Sequence, residues 1–204
     1  MSEESIKLRK ESEARRSYRK FLKCSIDKST IEDWIMTAST APSGANKQPW
    51  YFCVVTDDKI KRIIREQAEK IEESFYKEKI SDEWREDLKP LKTNWSKPFL
   101  TEASCLIVIF KENYKVNSEG KKEKNYYVNE SVGIAIGLLI NAIRNSGYES
   151  LTYTPAPMMF LKKIFNRPEG ESPVMILVVG KGDPSYELPC IRKKTIQEVA
   201  KFYN

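Results

Sequence analysis

Three short stretches hold residue types that could do chemistry. In "RRSYR", Arg15, Arg16 and Arg19 stand at i, i+1 and i+4, and Ser17 adds a hydroxyl. On a helix these guanidinium groups converge on one side, and planar, permanently charged forks suit a phosphate. The competing reading is a solvated basic face paired with Glu11 and Glu13. In "APSGANKQPW", Pro42 and Gly44 set a turn, Ser43 and Asn46 supply side-chain hydrogen bonds, and Gln48 can reach the amide edge of a heterocycle. An ordinary helix-to-strand connection would use the same residues. Further on, Glu72 and Tyr76 are helical neighbours at i, i+4, and Lys97 follows in "TNWSK". A carboxylate, a phenol and an ammonium can together hold a zwitterion, although three unrelated surface residues would look the same. Thr154 is pushed toward extended backbone by Pro155 and could offer its hydroxyl to a cofactor. The late cluster "IRKK", residues 191–194, could complete an anion site or be plain surface.

The absences narrow the chemistry. None of the 204 residues is a histidine, which removes histidine triads, histidine metal sites and histidine general bases. The four cysteines show no metal-ligand spacing, so no metal site is expected. No GxGxxG follows a strand and no P-loop is present. A net charge of +6 from 35 basic and 29 acidic groups suits a small anionic ligand, and no RNA-binding motif argues for nucleic acid. The N-terminus is charged throughout and lacks a signal peptide's apolar stretch, and the longest apolar run, 132–143, is too short to span a bilayer. These features predict a cytoplasmic protein with no membrane partner.

The elements that must position these residues follow from periodicity. Residues 1 to about 23 read as a charged helix. A capping box at Ser29 with Glu32 opens a second helix, on which Ile31, Trp34, Ile35 and Ala38 form a stripe. "WYFCVVT", "SCLIVIF" and "PVMILVVG" read as buried strands. A long amphipathic helix starts at Asp58, and 81–98 is irregular or short-helical. "NYKVNSEGKKEKN" reads as a polar excursion, probing solvent. "YYVNESVGIAIGLLINAIRNSG" is a helix apolar nearly all round, for the interior or a subunit interface, with Gly147 at its C-cap. "SLTYT" is a strand entry, and "TIQEVAKFY" closes the chain as a short amphipathic helix. Helices alternating with strands predict an α/β (α+β) sheet packed by helices, in a single domain over 1–204.

Taken together, "RRSYRKF", "APSGANKQPWYFCVV", "KTNWSK", "YYVNESVGIAIG" and "TPAP", in this order, resemble the FMN-dependent nitroreductase superfamily, and within it the iodotyrosine deiodinase branch. The resemblance implies an intertwined homodimer with a mixed sheet and FMN at the subunit interface. It implies that Arg15, Arg16, Ser17 and Arg19 bind the FMN phosphate and ribityl chain, with Lys193, or its rival Arg192, reaching the phosphate. Pro42, Ser43 and Gly44 would contact the flavin from the partner subunit, and Ala45 would offer its N–H to the substrate phenolate. Thr152, Tyr153 and Thr154 would also line the cofactor, Thr154 as the catalytic donor to flavin N5. Glu72, Tyr76 and Lys97, on a lid at about 70–98, would bind a halotyrosine zwitterion. The implied reaction is reductive dehalogenation of 3-iodo-L-tyrosine, fed by NAD(P)H directly or through a separate reductase. A broad-specificity nitro or quinone reductase is the alternative.

Overall fold

The computed structural model describes residues 2–203. In chain order the elements are α1 (Glu3–Ala14), β1 (Phe21–Leu22), α2 (Lys28–Ser39), β2 (Trp50–Val55), α3 (Asp58–Ser74), α4 (Asp82–Leu88), α5 (Phe99–Glu102), β3 (Cys105–Glu112), β4 (Tyr114–Val116), β5 (Lys122–Lys124), α6 (Val128–Asn145), β6 (Glu149–Tyr153), α7 (Met159–Ile164), β7 (Glu171–Gly182) and α8 (Ile196–Val199).

β3 lies between β2 and β7, paired antiparallel to both, with Val108 opposite Cys53 on one side and Ile176 on the other. β6 and β1 pair antiparallel with the other edge of β7. One parallel bridge, Ser17 to Ser150, makes the sheet mixed where the "RRSYR" stretch joins it. Because side chains alternate along a strand, β3 sends Leu106, Val108 and Phe110 to one face and Cys105, Ile107 and Ile109 to the other. The first face packs on α3, α5 and α7 through Ile64, Ala68, Leu100 and Leu161. The second packs on α2 and α6 through Ile31, Trp34, Leu139 and Ile143. A strand covered on both faces has no polar positions to spare, which is why "CLIVIF" reads as a continuous apolar run.

Several boundaries differ from the sequence expectation. The first helix ends at Ala14, because it buries no residue and the chain beyond it pairs with β6. α2 begins at Lys28 behind Asp27, so Ser29 is inside the first turn. Glu32 is paired with Lys28 at 3.2 Å instead of capping. The polar excursion is an exposed hairpin, β4 with β5, in which Asn117 Oδ1 accepts from the N–H groups of Glu119 and Lys121. The closing helix spans only Ile196–Val199 and is wholly exposed. α6 ends as expected, with Gly147 just beyond it at φ 76° donating to Arg144 O. Among the described residues no helix is long and apolar enough to cross a membrane.

Candidate active site

The site forms where the end of α3 meets the end of β6. Alternation along β6 buries Leu151 and Tyr153 and leaves Thr152, then Thr154 just past the strand, on the open side. Glu72 occupies the last turn of α3. Tyr76 lies in a π-helical turn, Phe75–Lys79, where the extra residue per turn redirects the chain. The chain then leaves through α4 and returns at 93–98 to bring in Lys97, which is 4% exposed.

Glu72 is gripped from two sides. Tyr153 Oη donates to its Oε1 at 3.0 Å, and Lys97 Nζ stands 3.3 Å from its Oε2. The ammonium also donates to Asn94 O and, at 3.4 Å, to Thr93 Oγ1, and it sits 5.3 Å from the centre of the Tyr76 ring. The cavity around them measures about 220 Å³ and includes Arg19, Thr152 and Thr154 on its polar side. Its apolar wall is Phe75, Trp84 and Leu88, with the Phe75 and Trp84 rings edge-on at 4.8 Å.

Burial dominates the proton affinities. It lowers the pKa of Lys97 below the ordinary lysine value, with the Glu72 carboxylate pulling the other way. It raises both phenols: Tyr153 strongly, reinforced by Glu72, and Tyr76 more modestly. Both tyrosines therefore stay protonated at neutral pH and remain donors. The site offers a carboxylate, an ammonium and two phenols in a partly buried pocket, beside a guanidinium and two hydroxyls.

Residues 13–181 match the Nitroreductase family. The chain belongs to the nitroreductase family, on its iodotyrosine deiodinase branch. An iodotyrosine deiodinase from Haliscomenobacter hydrossis is 49% identical over 189 residues, 93% of this chain and 85% of that protein. One from Hydra vulgaris is 39% identical over 91% of this chain and 69% of its own length. A crystal structure of oxidized iodotyrosine deiodinase bound to FMN and 3-iodo-L-tyrosine superimposes with a TM-score of 0.82 at 32% identity, covering 96% of this chain and all of that one.

In this nitroreductase-family chain the expected site residues divide into groups. Glu72, Tyr76, Lys97, Arg19, Thr152, Tyr153 and Thr154 come together around the cavity. Arg15, Arg16, Ser17 and Arg19 do not converge at helical spacing, because α1 stops at Ala14 and the stretch is extended, with Tyr18 N–H donating to Ser150 O at 3.4 Å. The Arg16 guanidinium donates to Pro189 O, whereas Arg19, in a bend after the Ser17 bridge, lines the cavity. Arg192 is held by Glu198 at 2.5 Å, whereas Lys193 is exposed and makes no ion pair among the described residues.

Pro42, Ser43, Gly44 and Ala45 stand apart from this cavity. Their loop is tightly made: Ser43 Oγ accepts from Gln48 N–H at 2.9 Å, and Ala45, Asn46 and Gln48 all have left-handed backbone, at φ 51°, 53° and 48°. Ala45 has neither glycine's freedom nor asparagine's local bonding there, and such strain is concentrated at functional sites. Gln48, itself exposed, turns its amide to Asn46. The sequence reading missed the partnership of Tyr153 with Glu72. Its one trace is that Tyr153 falls on the buried phase of β6, where a phenol needs a partner.

Proposed function

We propose that this chain removes halide reductively from halotyrosines with FMN, converting 3-iodo-L-tyrosine to L-tyrosine and iodide. The observation that carries the reading is the buried Glu72–Lys97 pair, with Tyr76 beside it, in a pocket that also reaches Arg19, Thr152 and Thr154. An amino-acid zwitterion can enter such a pair without adding net charge. Its ammonium meets Glu72, its carboxylate meets Lys97, and Tyr76 donates to the carboxylate. An amine or acid lacking one charge would leave one member of the pair unmatched, which is costly away from water. Phe75, Trp84 and Leu88 offer an apolar wall for the aromatic ring. The segment at about 70–98 acts as the lid that excludes water once the substrate's charges are matched.

The donor set suits FMN: the Arg19 guanidinium on the cavity wall, with Arg15 and Ser17 close to it in the chain, for a phosphate dianion, the Thr152 and Thr154 hydroxyls for a polyol and a ring edge, and no acid of β6 on the cavity wall. Arg15, Ser17 and Arg19, together with Arg16, whose guanidinium donates to Pro189 O in this chain, and either Lys193 or Arg192, would hold the phosphate and ribityl chain. Thr152 and Tyr153 would line the cofactor, and Thr154 would offer its hydroxyl to N5. Bound and reduced, FMN supplies the two electrons, which NAD(P)H replaces directly or through a separate reductase. In the net step the carbon–iodine bond breaks, two electrons and one proton enter, a carbon–hydrogen bond forms and iodide leaves. Ala45 N–H steadies the phenolate oxygen.

Pro42, Ser43, Gly44 and Ala45 reach this cavity from a second copy, so the working unit is a homodimer. Support comes from apolar surface that one copy leaves bare: Ile134 between Gly133 and Gly137 on α6, and Ile196, Val199, Phe202 and Tyr203 at the C-terminal end. The four cysteines are free, which favours a reducing, cytoplasmic setting.

The test is tyrosine and iodide release from 3-iodo-L-tyrosine by the chemically reduced holoenzyme under anaerobic conditions, alongside Lys97→Ala. We expect stoichiometric tyrosine from the parent protein and a KM on the order of 100-fold higher in the variant, as for truncating one half of a buried charge pair. If neither protein forms tyrosine while both reduce a nitroaromatic, the broad-specificity reductase is the correct reading.

A further inference from the structure

Lys97 is held at its backbone as well as at its ammonium, and the backbone holder is Glu69. Glu69 lies one turn before Glu72 on α3, so both carboxylates face the returning 93–98 segment. Its Oε1 accepts from Lys97 N–H at 2.6 Å, from Ser96 Oγ at 3.2 Å and from Arg65 Nε at 2.8 Å. Arg65 in turn donates to Thr101 Oγ1 at 2.9 Å, and the Thr101 hydroxyl donates to Pro98 O at 3.0 Å. Asn94 Oδ1 tightens the approach by accepting from Ser96 N–H at 2.9 Å. Glu69 is not among the residues lining the cavity, so none of this is contact with a ligand.

We propose that Glu69, oriented by Arg65, is a positioning residue that presets the Lys97 ammonium for the carboxylate of the amino-acid substrate. This rests on the halotyrosine reading above. A lysine side chain carries up to about 2 kcal/mol of rotamer entropy. Fixing its backbone N–H to the same helix that carries Glu72 prevents the 93–98 segment from carrying the ammonium away, so that only the side-chain rotamers remain to be ordered, by Glu72, Asn94 O and Thr93 Oγ1. Burial works against ionising Glu69, but the hydrogen bonds from Lys97 N–H, Arg65 and Ser96 outweigh it and keep the carboxylate charged. The link between recognition and lid closure is then covalently short: Glu69 holds the chain, Glu72 holds the charge, and Lys97 is the residue between them.

A double-mutant cycle tests this on the FMN-loaded protein, with 3-iodo-L-tyrosine binding followed by flavin fluorescence. Glu69→Ala should raise the Kd for 3-iodo-L-tyrosine on the order of tenfold, in line with losing a hydrogen bond to a charged group. In a Lys97→Ala background the same change should have almost no further effect, because the residue acts through Lys97. Equal effects of Glu69→Ala in both backgrounds would overturn the proposal, since a general structural role is additive. An unchanged Kd in the single variant would overturn it too. Should the alanine variant not fold, Glu69→Gln runs the same cycle, with a smaller effect and the same non-additivity expected. Failure of the parent protein to bind 3-iodo-L-tyrosine at all would instead remove the halotyrosine reading, and this inference with it.

Discussion

Lys97 is a charged side chain almost without water, and its stability consequences are separable from its recognition role. Its folded pKa lies below the ordinary lysine value of 10.5, chiefly through burial. Between that lowered value and 10.5 the unfolded chain binds more protons than the folded one, so stability rises with pH across this window. Below the window the folded protein carries the full cost of a buried ammonium, relieved in part by Glu72 at 3.3 Å. Lys97→Met should abolish this rise while lowering stability near neutral pH, because Glu72 keeps only Tyr153 as partner. Urea midpoints of the two proteins measured from neutral pH up to 10.5 check this. A rise of equal size in the variant would assign it to another group.

At the scale of elements, the cavity and the loop proposed to reach it from a second copy are built on two local departures from regular structure, which differ in origin. The π-helical turn after α3 redirects Tyr76 toward Lys97 without ending the helix, whereas the 42–48 loop ends one element and starts another through left-handed residues. That loop is seated on the start of α6. A Cβ built on Gly44 would lie 2.9 Å from Tyr126 O and 3.0 Å from both Tyr126 Cβ and Tyr127 Cδ2. The first neighbour is backbone and cannot swing aside. Gly44→Ala should therefore cost about 1–3 kcal/mol, as overpacking does. A lower denaturant midpoint with an unchanged slope would show it, and an unchanged midpoint would mean that the loop moves freely on α6.

At the scale of the whole molecule, a single copy leaves surface that water covers poorly. The long apolar helix α6 buries Val132, Ala135, Ile136, Leu139 and Ile143 but exposes Ile134, and β2 exposes Tyr51 and Val54 beside its free edge. The terminal residues Phe202 and Tyr203 are 76% and 84% exposed. In the proposed homodimer a second copy would cover part of this exposed apolar surface. Sedimentation equilibrium should give twice the 23.7 kDa chain mass, and an Ile134→Lys variant should shift the species toward one chain with loss of bound FMN. A parent protein that sediments as one chain would place the Pro42–Ala45 loop outside the active site.

By itself the sequence determined the layers and part of the site. Continuous apolar runs marked β2, β3 and β7, helical stripes marked α2 and α3, and a helix apolar nearly all round marked α6, because burial imposes a pattern that local reading detects. Glu72 and Tyr76 were legible as neighbours for the same reason. Their meeting with Lys97, 21 residues beyond Tyr76, came from a family resemblance and not from spacing. The tertiary structure decided what depends on distant partners. It stopped α1 at Ala14, because pairing of Ser17 with Ser150 offers the "RRSYR" backbone an alternative to helix. It also gave Glu72 a phenol from β6 and gave Lys97 a second carboxylate, Glu69, at its backbone. Hydrogen bonds between residues 81 and 28 positions apart leave no periodic trace, so only the folded chain specifies them.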